Sequence, residues 1–214
     1  MNNFGSPILA LGHMTLPIRN SDLAIYAAHG CYWATLMVAR LAGRKRKRGK
    51  DSDIVAREKK TAKHSRVLVG VHFVAFAFMY SGIGAAVFQG QTPTWFSGQR
   101  IVGGIIIGVG AALAASAMLY FQSWRFRAEI RSGHQLATGG PFSVLRHPIY
   151  TGLNLLALGS AFWIPTWVVW IGFVLMLVGS DLRGRAEEKL LLESFGDDYV
   201  DYKARTWRCV PGIY

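Results

Sequence analysis

The run 148–180, PIYTGLNLLALGSAFWIPTWVVWIGFVLMLVGS, contains no charged side chain. A hydrocarbon layer is about 30 Å thick and takes about 20 helical residues to cross, whereas this run would extend about 50 Å as one helix. Pro165 lies near its middle, between Trp163 and Trp167. A proline breaks a helix and tryptophans favour the headgroup level, so the run reads as two antiparallel helices that turn at the far interface. Both arms are short for a full crossing and must borrow residues near Asp181 or stop within the bilayer.

Further out, Leu23–Leu41, Val67–Phe88 and Ile101–Phe121 are apolar blocks of crossing length, interrupted only by Arg40, which sits at an end where it can snorkel. The expected fold is all-α integral membrane, with about five transmembrane helices including the C-terminal hairpin, followed by a cytoplasmic helical region. Composition agrees: 51% of residues are hydrophobic and 17% charged, well under the roughly 25% charge of an average soluble domain. Such a chain is also too apolar for a disordered nucleic-acid tail.

The segment 43–66 carries eleven Lys and Arg residues against Asp51, Asp53 and Glu58, and so supplies most of the net charge of +12. By the positive-inside rule it is a cytoplasmic loop, which puts the N-terminus outside and the C-terminal region in the cytoplasm, in an expected bacterial inner membrane. No aromatic residues interleave the charges, so the loop reads as a topology signal attracted to anionic lipid, and no nucleic-acid partner is expected. Met1–Leu16 has no Lys or Arg and does not read as a conventional cleaved signal. Two regions follow: 1–132, N-terminal membrane helices with the basic loop, and 133–214, a polar loop, the hairpin and C-terminal helices. Gly104, Gly108, Ala112 and Ser116 recur every four residues and predict a smooth face for close helix packing, within one subunit or between two. The oligomeric state stays open. Cys31 and Cys209 are poorly placed for a disulfide.

The polar residues gather late in the chain. Trp124–Arg131 is basic and aromatic and predicts a continued helix along the inner interface, ended by Gly133. His134–Phe142 then contains Gly139-Gly140-Pro141, which cannot be helix throughout, and such irregular backbone at a membrane edge needs protein cover or a polar cavity. Arg146 and His147 directly precede Pro148, a residue suited to start a helix. Beyond the hairpin, Asp181, Arg183, Arg185, Glu187 and Glu188 predict a cytoplasmic helix running to Phe195, with Gly196 as C-cap and Asp197 as the next N-cap. Arg183 and Glu187 are four apart and share a face. If the hairpin forms, the two charged clusters return to one membrane surface.

The ordered blocks His134-x-Leu136-x-Thr138-x-Gly140-Pro141-Phe142, Arg146-His147-Pro148-x-Tyr150-x-Gly152, Arg183-x-x-x-Glu187-Glu188-x-x-Leu191, Phe195-Gly196-x-x-Tyr199-x-x-Tyr202 and Pro211 resemble the isoprenylcysteine carboxyl methyltransferases. That family of integral membrane methyltransferases is related to the phospholipid N-methyltransferases. The resemblance covers about Gly133 to Pro211; the earlier part matches only in being membrane spans. Phe142 departs from it, since tyrosine is common there and its hydroxyl is missing here.

The resemblance implies S-adenosylmethionine-dependent methyl transfer to a lipophilic small-molecule or lipidated acceptor that arrives through the lipid bilayer. It places the cofactor near His134, Leu136, Gly139, Gly140, Phe142, Arg146, His147, Tyr150, Glu187, Glu188 and Tyr199. Arg183 is the candidate for orienting an anionic acceptor, with Glu187 fixing it or acting as base. A carboxylate acceptor needs no base, while a thiol or amine needs one. The glycines from Gly103 to Gly110 lie inside a span and lack the preceding strand of a dinucleotide fingerprint. No metal is expected, because the six histidines are scattered. An NADPH-dependent sterol-type membrane reductase and a non-enzymatic membrane scaffold are the competing readings.

Overall fold

The computed structural model describes residues 20–48, 59–61, 65–90, 92–120, 129–131 and 136–213. Its helices are α1 (Asn20–Arg48), α2 (Ser65–Phe88), α3 (Gln99–Tyr120), α4 (Pro148–Trp163), α5 (Trp167–Phe195) and α6 (Asp197–Ala204), with a 3-10 turn at Gly140–Ser143. Two three-residue strands, β1 (Lys59–Thr61) and β2 (Glu129–Arg131), pair antiparallel with Lys60 opposite Ile130. The chain is an essentially all-helical integral membrane protein.

α4 ends at Trp163 and α5 begins at Trp167, with Pro165 in the turn and the Thr166 hydroxyl accepting the Val169 N–H as the cap of α5. Each arm of this hairpin packs chiefly on an earlier helix, α4 antiparallel to α3 and α5 antiparallel to α2. At the α3–α4 crossing a methyl group on Gly159 would stand 2.6 Å from the Gly103 carbonyl oxygen, and one on Gly110 would stand 2.8 Å from that of Gly152. The backbones touch. Gly159→Ala should therefore destabilise the protein by about 1–3 kcal/mol, while Gly108→Ala, with nothing within 4 Å, should be silent; thermal unfolding in detergent compares the two.

The packing face of α3 is thus Gly103, Ile107, Gly110 and Ala114, all buried, and not the predicted stripe, of which Gly108, Ala112 and Ser116 are exposed. A strict four-residue step drifts about 40° around a helix each time, whereas alternating steps of four and three stay on one side. α1 is tied in by polar contacts: His29 lies 3.0 Å from the Tyr80 hydroxyl and 2.9 Å from that of Ser160, and Trp33 Nε1 donates to Tyr80 at 2.8 Å.

Several expectations change. Among the described residues three helical stretches are long and apolar enough to cross a membrane, Val67–Phe88, Gln99–Tyr120 and Trp167–Phe195. α4 has 16 residues, about 24 Å, and α1 is diluted by His29, two tyrosines and a basic end. The basic segment 43–66 is not all loop: α1 continues to Arg48, β1 occupies Lys59–Thr61 and α2 starts at Ser65. Glu129–Arg131 is a strand, its backbone groups satisfied by β1; Trp124–Ala128 lie outside the described residues. No new helix opens at Asp181, since α5 runs unbroken for 29 residues, about 43 Å, longer than the hydrocarbon it must cross. Gly196 caps α5 with a left-handed φ of 52° and also precedes α6, so Asp197 is the first residue of α6 and not its cap.

Candidate active site

Three pieces of chain meet at one end of the bundle. The segment Val144–His147 enters α4, the last third of α5 overhangs it, and the tail after α6 runs beside both. The N–H groups of Arg146 and His147 precede α4 and have no helical acceptor, and the tail supplies partners: they donate to the carbonyls of Trp207 (2.8 Å) and Arg208 (3.0 Å), and Trp207 N–H donates to Val144 (3.0 Å).

Glu188 is the electrostatic centre. Its carboxylate accepts from Arg146 Nε at 3.0 Å and from Arg208 through Nε and Nη2 at 2.8 Å each, with Lys203 Nζ at 3.9 Å and His147 Nε2 at 3.4 Å. The Arg146 guanidinium also donates to the carbonyls of Lys203 and Thr206. A buried carboxylate is tolerated only when it is so compensated.

Glu187 occupies the neighbouring position. Arg183 lies one turn back with Nε 3.5 Å from Glu187 Oε1, His147 Nδ1 is 3.6 Å from Oε2, and the Tyr150 hydroxyl donates to Oε1. Tyr150 is thereby boxed in: His147 stacks on its ring at 5.5 Å, Arg183 sits over it at 5.2 Å, and His72 of α2 approaches at 6.0 Å. Burial works against a charged His147, but the carboxylates of Glu187 and Glu188 outweigh it and raise the pKa above the ordinary histidine value. The site therefore combines buried Arg183, half-buried Arg146 and Arg208 and a favoured imidazolium with two glutamates already engaged by them, which suits the anionic end of a ligand.

Among the predicted residues, Arg146, His147, Tyr150, Arg183, Glu187 and Glu188 form this cluster. Tyr199 borders it, fully buried, with a hydroxyl that has no hydrogen-bond partner among the described residues. Phe142 is buried beside α3, and its carbonyl accepts from the Tyr202 hydroxyl at 2.7 Å. Leu136 and Gly139 lie on the approach to the 3-10 turn, which Gly140 opens with φ 58°. The close approach these glycines permit is taken by Tyr120, whose hydroxyl stands 2.0 Å from where a Gly139 Cβ would lie. His134 lies outside the described residues.

Sequence reasoning missed Arg208, Asp181 as its second partner at 3.2 Å, and the Asn154, Ser180 and His72 contacts below the cluster. Arg208 carries no local signal, since its partners are 20 and 27 residues away. The cysteines are free thiols, Cys31 exposed and Cys209 buried, and burial pushes Cys209 up to about 11. No His, Cys, Asp and Glu grouping suited to a metal occurs among the described residues.

Residues 99–198 match the phospholipid methyltransferase family. The chain is 32% identical over 88 residues to a protein-S-isoprenylcysteine O-methyltransferase of Dictyostelium discoideum, covering 40% of this chain and 37% of that one. It is 38% identical over 84 residues to the protein of the same name from Saccharomyces cerevisiae, covering 38% and 35%. The aligned stretch thus spans just over a third of each relative's length. The residues that match the family take in α3, the hairpin and the whole Arg183–Glu188 turn, so this part of the chain is similar to the phospholipid methyltransferases, and the chain is similar over just over a third of their length to two isoprenylcysteine O-methyltransferases.

Proposed function

We propose that the protein transfers a methyl group from S-adenosylmethionine to a lipophilic acceptor at the end of the bundle that carries Arg146, His147 and Glu187. The observation that carries this reading is the juxtaposition of Arg146 and His147 with Arg183, Glu187 and Glu188 across the hairpin, which is the family's motif order folded into one cluster. The donor set fits the molecule: Arg146 and His147 for its carboxylate, the apolar walls of Phe142 and Tyr199 for its adenine, and the unpartnered Tyr199 hydroxyl as an edge contact. Leu136, Gly139, Gly140 and His134 belong to the cofactor neighbourhood by motif position.

The donor, when bound, supplies an electrophilic methyl on sulfur. Displacement on that carbon is in line, so the chain's task is alignment and exclusion of water. Arg183, buried and 5.2 Å over Tyr150, orients an anionic acceptor such as a carboxylate or thiolate. Glu187 holds Arg183 and Tyr150 in place, and takes a proton where the acceptor is a thiol or amine.

All five long helices are proposed to lie in the bilayer, α1 and α4 with their ends in the interface, the N-terminus outside and the catalytic end in the cytoplasm of a bacterial inner membrane. The acceptor reaches the site through lipid.

The test is a binding titration on the detergent-solubilised protein. S-adenosylhomocysteine should quench tryptophan fluorescence saturably and NADPH should not. Saturation by NADPH alone assigns the reductase reading; no saturation by either assigns the scaffold.

A further inference from the structure

We propose that Arg208 is a positioning residue of this site: carried on the tail that follows α6, it locks the carboxylate of Glu188 and thereby fixes His147 between the two glutamates. The inference rests on the methyl-donor reading above. Arg208 lies beyond the residues that match the family.

The tail is built into the site by more than one bond. Its residues 207 and 208 pair by backbone with 144, 146 and 147. The Thr151 hydroxyl, one turn into α4, donates to the Cys209 carbonyl at 2.9 Å. Leu145 and Trp207 form a parallel bridge. The tail thus lies alongside the segment that delivers Arg146 and His147.

From this tail Arg208 reaches α5 with its full fork. Nε and Nη2 each lie 2.8 Å from one oxygen of Glu188, and Nη1 lies 3.2 Å from Asp181, two turns earlier on the same face. A planar guanidinium bound in this way fixes the carboxylate plane, which a lysine ammonium cannot do. Gly184 makes the room: a Cβ there would stand 3.3 Å from the His147 ring and 3.7 Å from the Arg208 stem, so both side chains pack over the same glycine. With Glu188 held by Arg208, His147 Nε2 rests 3.4 Å from it while Nδ1 faces Glu187.

Charge gives the role a signature. The groups that face His147 are Glu187 and Glu188 from α5 and the Tyr150 ring from α4, while Arg208 from the tail packs over the same Gly184 and pairs with Glu188. Glu188 divides its charge among Arg208, Arg146, Lys203 and His147. Without Arg208 the imidazolium takes a larger share and holds its proton to higher pH.

The experiment titrates S-adenosylhomocysteine into wild type, R208Q, R208K, E188Q and R208Q/E188Q in detergent across a pH series, with the thermal midpoint of each. R208Q should bind on the order of 10- to 100-fold more weakly, the loss of hydrogen bonds to a charged group, and the alkaline limb of its pH dependence should move upward. R208K should recover part of the affinity, and R208Q/E188Q should bind no more weakly than E188Q, because Arg208 acts through Glu188. Unchanged affinity and an unmoved limb in folded R208Q overturn the proposal, as does a further loss in the double variant. Should R208Q not fold, R208K carries the decision: wild-type affinity and pH limb in it overturn the proposal. Wild type that fails to bind S-adenosylhomocysteine removes the methyl-donor reading and this proposal together, whereas wild type that binds alongside an unaffected R208Q removes this proposal alone.

Discussion

Replacing Glu188 with alanine should destabilise the protein by about 3–5 kcal/mol, the usual cost of removing one partner from a buried ion pair. The side chain is 6% exposed and faces Arg146 and Arg208, themselves 10% and 12% exposed. Removing the carboxylate leaves two guanidinium groups and an imidazolium crowded together with little water to screen them. Arg146 keeps the carbonyls of Lys203 and Thr206, but carbonyls do not neutralise its charge. Thermal unfolding in detergent measures the loss. A midpoint equal to wild type would mean that the cluster is hydrated and that Glu188 does not organise it.

Replacing Arg183 with alanine should lower the rate of methyl transfer by about 10²-fold or more while S-adenosylhomocysteine affinity stays near wild type. Arg183 is 4% exposed and pairs with Glu187, its Nε 3.5 Å from Oε1. A buried guanidinium so placed aligns an anionic group, and loss of alignment acts on the rate of an in-line displacement by about that factor. Separate measurement of kcat and of donor binding decides the point. Full transfer rate in the alanine variant would withdraw the orienting role, and a matched loss of donor affinity would move Arg183 from the acceptor to the donor.

Legibility in the sequence followed the range of the interaction. The apolar runs of α2, α3 and α5, the turn at Pro165 and the left-handed cap at Gly196 depend on composition and local geometry, and each was readable. Arg183 and Glu187 were readable as neighbours because one helical turn joins them. The face of α3 that packs was not, since Gly103 or Gly104 as the contact depends on where α4 crosses. The strand at Glu129–Arg131 was equally hidden, because its pairing partner lies in the basic segment.

The sequence by itself determined a helical membrane chain and put the donors and acceptors of the site on either side of one hairpin, because burial of apolar side chains and the break at Pro165 are local matters. Only the tertiary structure decided which groups meet: that Glu188 is saturated by Arg146 and Arg208, that Glu187 is shared by Tyr150, His147 and Arg183, and that α2 contributes His72. Electrostatic pairing in a buried site reaches across whatever chain separates the partners, and the order of residues does not encode that distance.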